Sequence, residues 1–224
     1  MISFAGKAIK YFLNLKTPSN LPEEIYITNP YNKQDVKRVV KEFYKKYFND
    51  NNKRTFVLGI NPGRFGGALT GISFTDPVAL REECGIENDL GNKKELSSEF
   101  IYIVIKEYGG TEKFFSKYFL SALYPLAILK DGKNYNYYDS KKLFELTKTG
   151  IMKSVKAQAG FGANKKAVIS LGKKNGNYLK SINEELKLFD RVEVLDHPRF
   201  IMQYRRKSLS KYINEYLRIL SLTD

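Results

Sequence analysis

The sequence has almost no cysteine, histidine or tryptophan. Among 224 residues there is one Cys (Cys84), one His (His197) and no Trp. A single cysteine excludes an intramolecular disulfide and a four-thiolate zinc or iron–sulfur site. A single histidine excludes metal sites built from several His or Cys ligands, and no acidic cluster with suitable spacing stands out. We therefore expect neither a metal ion nor another cofactor.

Long apolar runs are also missing. No run approaches the ~20 residues that a membrane-spanning helix needs. The N-terminal segment is interrupted by Lys7, Lys10 and Lys16, so it lacks the continuous core of a signal peptide. We expect a monomeric, cytoplasmic protein that binds no membrane.

Positive charge and aromatic side chains are abundant. The formal net charge is +14, which favours polyanions such as nucleic acid, although lysine-rich surfaces also occur on enzymes that bind none. Apolar residues make up 42% of the chain, including 16 Tyr and 15 Phe, enough for a sizeable core. The length suits one domain, residues 1–224, with N-terminal helices in 1–53 and a sheet with the motifs in 54–224.

Apolar, β-rich segments alternate with helical patterns along the chain. We predict strands at 55–60, 117–124, 167–172 and 191–196, and helices at 4–15, 94–108, 111–117, 141–155 and 209–220. A further helix is predicted over DVKRVVKEFYKKYF with Asp35 as its N-cap, and Asp139 or Ser140 would cap the helix near 141. This alternation predicts a mostly parallel sheet covered by helices on both faces.

The first candidate site segment is GINPGRFGGALTGISFTDP, residues 59–77, directly after the first of these strands. Its glycines let the backbone approach a ligand closely. Asn61 offers an amide that donates and accepts, and Phe74 offers a face on which a planar base can stack. The same segment could also be a loop shaped only by turn geometry. It is not a P-loop, because no Lys and Ser or Thr follow its last glycine.

The second segment is DHPRFIMQYRRK, residues 196–207, after the last predicted strand. Pro198 restricts His197 to extended backbone, which fixes where the imidazole points. Phe200, Ile201 and Met202 form an apolar group among basic residues, a mixture that suits a wedge entering a base stack. The alternative is a strand-to-helix loop with a solvated basic face and buried apolar residues.

Together these segments resemble the uracil-DNA glycosylase superfamily. The likeness rests on GINPG followed by TGISF, on the FLSALYPL strand and on the HP segment near the C-terminus. It is greatest to the single-strand-selective monofunctional branch and its bacterial relatives, and it spans about residues 54–220. The resemblance implies a three-layer α/β/α fold with a four-stranded, mostly parallel sheet. It also implies that DNA crosses the carboxyl edge of the sheet and that the damaged base is flipped into a pocket.

The resemblance further implies roles for individual residues. Asn61 would position the attacking water, and His197 would stabilise charge on the departing base. The base would be contacted by Phe74, by backbone amides near Ile60 and Gly63, and by the strand residues Ser121 and Ala122. The expected DNA-binding residues are Arg64, Arg199, Phe200, Ile201, Met202, Arg205, Arg206 and Lys207.

One departure from the family pattern concerns the base that is recognised. The family often has an asparagine on the mid-chain strand that reads the uracil edge, and here that position is Ala122, next to Ser121. A missing polar partner weakens discrimination, so we expect xanthine and hypoxanthine as substrates beside uracil. The chain would then be a monofunctional glycosylase of base excision repair. Two alternatives stay open: an inactive nucleic-acid-binding protein of the same fold, and an enzyme acting on free nucleotides.

Overall fold

The computed structural model describes residues 2–223, and its centre is a four-stranded parallel sheet. The strand order is β3-β2-β6-β7. These strands are β2 (Arg54–Gly59), β3 (Tyr118–Ala122), β6 (Ala163–Leu171) and β7 (Val192–Leu195). Helices surround the sheet, which confirms the predicted α/β fold class. Every residue of the central strand β2 and of the edge strand β3 is buried, as expected for a parallel sheet whose two faces are covered.

The helices follow the predicted pattern with a few differences. Their bounds are α1 (Phe4–Leu13), α2 (Gln34–Phe48), α3 (Gly67–Thr70), α4 (Pro77–Glu82), α5 (Leu96–Tyr108), α6 (Thr111–Lys117), α7 (Lys141–Ala159), α8 (Lys173–Leu186), α9 (Pro198–Tyr204) and α10 (Leu209–Leu222). Ser140 caps α7, with its hydroxyl accepting from Leu143 N. Asp35 is not the N-cap of α2, because the helix already begins at Gln34 after Lys33 and places Asp35 in its first turn. No helix within residues 2–223 is long and apolar enough to cross a membrane.

A second, antiparallel sheet was not predicted. It consists of β1 (Ile25–Thr28), β4 (Ala127–Lys130) and β5 (Lys133–Tyr135), in the order β1-β4-β5. Asp131 and Gly132 form the two-residue turn between β4 and β5, with φ values of 50° and 68°. Positive φ at both central residues is the preference of an Asp-Gly hairpin turn, so this dipeptide was the sequence signal for the hairpin.

Buried Arg54 joins the N-terminal helices to the amino end of β2. Its guanidinium forms a bidentate pair with Asp50, at 2.8 Å to each carboxylate oxygen, and donates to the carbonyls of Phe115 and Tyr47. The rings of Phe4 and Phe48 lie 4.9 and 4.8 Å from it. A charge at this depth needs such complete pairing, because an unpaired buried cation is strongly unfavourable. The division of the chain into one domain stays a prediction.

Candidate active site

A cavity of about 520 Å³ opens where the parallel strands end. Gly59 at the end of β2, Ala122 at the end of β3 and His197 just after β7 all line it. The carboxyl edge of an open parallel sheet is the usual place for a ligand site. The two predicted loops therefore meet around one cavity. Its lining is completed by Ile60, Asn61, Pro62, Gly63, Ser73, Phe74, Glu95, Ser97, Asn134, Asn136, Arg199, Phe200, Gln203 and Tyr204.

The Phe74 ring lies directly against the backbone of Gly59. A Cβ atom at residue 59 would overlap the end of this ring, so only glycine permits the contact. Phe74 has a φ of 57°, a left-handed conformation that is unfavourable for a bulky residue. Such strain, of order 1–3 kcal/mol, persists only where the surroundings fix it. The result is an aromatic face on the cavity wall, 6.2 Å from the His197 ring centroid.

His197 is the N-cap of α9, and this position fixes its tautomer. Its Nδ1 accepts a hydrogen bond from Arg199 N at 3.2 Å. Because a backbone N–H can only donate, the ring proton of the neutral imidazole must be on Nε2. Burial, and to a smaller extent the positive charge of Arg199, lower the pKa of His197 to about 4. At neutral pH the side chain is thus an uncharged donor through Nε2.

Asn61 is held by the end of β5 and by the residues that follow it. Its Nδ2 donates to Tyr135 O at 3.1 Å, and its Oδ1 accepts from Tyr137 N at 3.4 Å. Tyr137 is itself fully buried and donates to Asn175 Oδ1 at 2.8 Å. These bonds fix the orientation of the amide while Oδ1 keeps a second lone pair for another donor. The backbone of residues 135–137 thus holds the Asn61 side chain in place.

The predicted base-contacting residues divide into two groups. Ile60, Gly63, Phe74 and Ala122 line the cavity. Ser121 does not, and its expected contact with the base is corrected here. Its side chain is fully buried on the opposite side of β3 and is hydrogen-bonded to Gln158, which also donates to Ala122 O at 3.1 Å. Successive strand residues face opposite ways, so residues 121 and 122 cannot both face the cavity.

The expected apolar wedge is only partly at the surface. Ile201 is fully buried and Met202 is 4% exposed, so the prediction that they contact DNA is wrong. They lie on the inner face of α9 and belong to the hydrophobic core. Phe200 is 37% exposed and faces the cavity, with the Tyr204 ring 5.7 Å away and also exposed. One turn of helix separates these two rings, so they share the outer face of α9.

The basic residues occupy different surroundings. Arg199 lines the cavity, and Arg205 lies over the Phe200 ring at 5.2 Å. Arg206 is paired with Glu99 at 3.1 Å, and Lys207 is exposed. The last predicted DNA contact, Arg64, bonds to the Gly132 carbonyl of the hairpin turn and lies over the Phe65 ring at 4.5 Å. Three of the expected DNA-binding arginines, Arg64, Arg205 and Arg206, therefore already have partners within the chain.

Sequence reasoning missed several cavity residues, above all Glu95. This residue lies 32 positions after Gly63, in a segment that reads as an ordinary helix start, so no local signal marked it. Burial and the negative charge of Asp76, partly offset by the positive charge of Arg199, raise the pKa of the Glu95 carboxyl to about 7. Asn134 and Asn136 come from the hairpin region, and Gln203 and Tyr204 from α9.

Asp76 is a structural residue. Its Oδ1 accepts from Val78 N and Ala79 N at 3.0 and 2.9 Å, which caps α4, and its Oδ2 accepts from Glu95 N at 2.9 Å. Asp76 is thus the N-cap of α4. In the part of the chain that the structure describes, no three His, Cys, Asp or Glu side chains form a group that could hold a metal ion.

Comparison with known proteins gives a family and a structural relative. The family model described as the uracil DNA glycosylase superfamily matches residues 45–221. The crystal structure of wild-type SMUG2 from Pedobacter heparinus is similar to this chain, with a TM-score of 0.95 and 40% sequence identity. The match covers 99% of this chain and 98% of that one. No curated protein matches the sequence.

Proposed function

Because the chain belongs to the uracil DNA glycosylase superfamily, we propose that it is a monofunctional DNA glycosylase of base excision repair with a broad range of deaminated bases. The proposed substrates are uracil, hypoxanthine and xanthine in DNA. The observation that carries the proposal is the convergence of Asn61, Phe74 and His197 on one cavity. The similarity to SMUG2 supports the same type of activity.

The flipped base would stack on Phe74. Backbone N–H groups near Ile60 and Gly63, which line the same cavity, would meet the base edge. Ala122 presents only a methyl group where an amide would select uracil. A site without that polar partner discriminates less between bases that carry oxygen at similar positions, which favours a broad range.

His197 would stabilise the departing base. Cleavage of the N-glycosidic bond leaves its electron pair on the base, so a donor aimed at a base oxygen stabilises the developing negative charge. The neutral imidazole donates through Nε2, and its other nitrogen is held by Arg199 N. A preorganised donor of this kind typically accounts for ~3 kcal/mol of transition-state stabilisation.

Asn61 would orient the attacking water. Its amide is fixed by Tyr135 O and Tyr137 N, so the remaining lone pair of Oδ1 has a defined direction. An amide does not take a proton from water, and its contribution is to hold the nucleophile in line with the glycosidic bond. A Schiff-base mechanism is not proposed, since no lysine is among the residues that line the cavity.

Helix α9 would form the DNA contact beside the cavity. Phe200 and Tyr204 replace the predicted Phe200–Met202 group as the side chains that would enter the gap left by the flipped base. Arg199 and Arg205, on the same helix and at its end, would bind the flanking phosphates. Aromatic insertion with cationic backbone contacts is a common way to stabilise a distorted duplex.

Oligonucleotides with one uracil, hypoxanthine or xanthine, treated with alkali after incubation, test this function. We expect strand breaks with wild type and a roughly 100-fold lower rate for Asn61→Ala and for His197→Ala. Fluorescence anisotropy should show DNA affinity close to wild type for both variants. Binding without breaks in the wild type would instead indicate an inactive binding protein. Base release only from free nucleotides would indicate a nucleotide enzyme.

A further inference from the structure

Glu95 places a carboxyl group in the cavity wall. It precedes α5 as the N-cap residue, yet its side chain makes no capping hydrogen bond. Within residues 2–223 its carboxylate has no hydrogen-bond donor and no ion-pair partner; only its backbone N–H is engaged, by Asp76. Glu95 is half-buried, and a half-buried carboxyl group in a cavity wall whose oxygens make no bond within the described part of the chain is available to a ligand.

The backbone of the first loop places this carboxyl against the cavity. One carboxylate oxygen packs against the backbone of Gly63 and the other against that of Gly66. A Cβ atom at either glycine would overlap the oxygen beside it. Gly63 is two residues from Asn61, and both line the cavity together with Glu95. Arg199, whose backbone N–H bonds to His197, lines the same cavity. Glu95 therefore faces the same enclosed space as the two residues assigned to water and base.

We propose that Glu95 is a third catalytic residue, a general acid that protonates a ring nitrogen of a departing purine. The inference rests on the proposed glycosylase function and names deaminated purines as the substrates that need this group. Hypoxanthine and xanthine carry N7 as a basic nitrogen of the ring attached to the sugar, whereas uracil has no such atom. Protonation at N7 makes a purine a better leaving group, since it departs neutral rather than as an anion.

The step balances without any further reactant. The Glu95 carboxyl proton moves to N7 while the C1′–N9 bond breaks and its electron pair stays with the base. The water held by Asn61 forms the new bond to C1′ and loses a proton, which restores the Glu95 carboxylic acid. The base leaves as the neutral purine, and the sugar becomes the abasic hemiacetal.

The protonation states of the cavity agree with this assignment. His197 is uncharged at neutral pH and serves as a hydrogen-bond donor, not as a source of a transferable proton. The pKa of Glu95 is raised to about 7 by burial and by Asp76, against the opposing charge of Arg199. A group that titrates near the working pH is the better general acid. His197 is bonded to Arg199 N through Nδ1, whereas the Glu95 carboxyl makes no capping bond. Of these two side chains, we therefore assign the proton transfer to Glu95.

The test compares Glu95→Gln with wild type in single-turnover excision at pH 6 to 8. The substrates are oligonucleotides with hypoxanthine, 7-deazahypoxanthine or uracil. Glutamine keeps the shape of the side chain but has no acidic proton. We expect Glu95→Gln to lower the rate on hypoxanthine roughly 100-fold, the usual scale for general acid catalysis, and to change uracil excision less than about 3-fold. The wild-type rate on hypoxanthine should fall as pH rises past 7, and this fall should vanish in the variant.

The 7-deaza base removes the proton acceptor instead of the donor. Wild type should lose a similar factor on 7-deazahypoxanthine, and Glu95→Gln should lose nothing further. Glu107→Gln, an exposed change on the same helix, is the matched control and should behave as wild type. Equal loss on uracil and hypoxanthine, or an unchanged rate on the 7-deaza base, would overturn the proposal. A wild type that excises uracil but no purine would also overturn it, whereas a wild type that releases no base refutes the glycosylase function itself.

Discussion

The protonation state of His197 can be read directly, because it is the only histidine in the chain. Its imidazole resonances in a heteronuclear NMR spectrum need no assignment by mutation. The structure predicts that this side chain is uncharged throughout the neutral range, with the proton on Nε2. The perturbation is a pH titration from 8 to 3.5 on the wild-type protein.

The expected size of the effect follows from burial and from Arg199. The pKa of His197 falls from 6.5 to about 4. At pH 7 an ordinary histidine is about one quarter protonated, whereas this one would be protonated in roughly 0.1% of molecules. The shift corresponds to about 3 kcal/mol in favour of the neutral form. Arg199→Gln should raise the pKa of His197, but not to 6.5, because burial is the larger cause.

The assay follows the Cε1–H and Cδ2–H shifts together with the ¹⁵N shifts of both ring nitrogens. We expect no change above about pH 5.5 and a protonated Nε2 beside an unprotonated Nδ1. A midpoint near 6.5, or a proton on Nδ1, would refute the assigned tautomer and with it the role of Nε2 as donor to the base.

The same shift affects folding stability, with a sign opposite to that of Glu95. The folded His197 has the lower pKa, so its contribution to stability is lost as pH falls from 6.5 to 4. The folded Glu95 has a pKa raised from 4.5 to about 7, so its contribution is lost as pH rises through that window. Each contribution to the free energy of unfolding amounts to about 3 kcal/mol. Between pH 4.5 and 6.5 the pH dependence of His197 and that of Glu95 offset each other. Urea unfolding of His197→Gln should therefore show stability falling as pH rises, where wild type stays nearly level.

Three further changes test the site and the fold. Gly59→Ala should displace the Phe74 ring and lower single-turnover base excision at least 10-fold, by analogy with other small misplacements at active sites; an unchanged rate would show that this contact does not set the ring position. Arg54→Lys should lower the urea-derived free energy of unfolding by about 3 kcal/mol, because lysine cannot keep the bidentate pair and the carbonyl bonds, and a loss below 1 kcal/mol would contradict the assigned bonding. Arg205→Ala combined with Arg206→Ala should reduce the slope of log affinity against log salt by roughly 1 to 2, measured by anisotropy, and an unchanged slope would exclude phosphate contacts at the end of α9.

The sequence predicted the sheet and the meeting of two loops because both depend on local patterns. Four short apolar strands with a helical segment between each pair leave few alternatives to a parallel sheet. In a parallel sheet, the loops that follow the strands lie at one edge. Asn61 and His197 follow two of these strands directly, so their convergence was predictable. Their chemical roles stay predictions until the excision assay is done.

Other parts of the site depend on contacts that no local pattern records. Glu95 reaches the cavity only because Gly63 and Gly66 leave room for it, a fit between segments about 30 residues apart. Ile201 and Met202 sit among basic residues in sequence, but a single helical turn directs them into the core and leaves Phe200 outside. The order of apolar residues in a seven-residue helix does not reveal which side meets solvent.

The end of strand β3 assigns the lining of the cavity and a buried hydrogen bond to two different residues. The last residue of β3, Ala122, directs its methyl group into the cavity. The preceding residue, Ser121, is hydrogen-bonded to Gln158 on the reverse side of the strand. Gln158 holds both neighbours on the reverse side, through the Ser121 hydroxyl and the Ala122 carbonyl, and the Ala122 methyl group takes no part in these bonds. Position 122 can therefore exchange its cavity-facing side chain in evolution while the Ser121–Gln158 hydrogen bond stays intact.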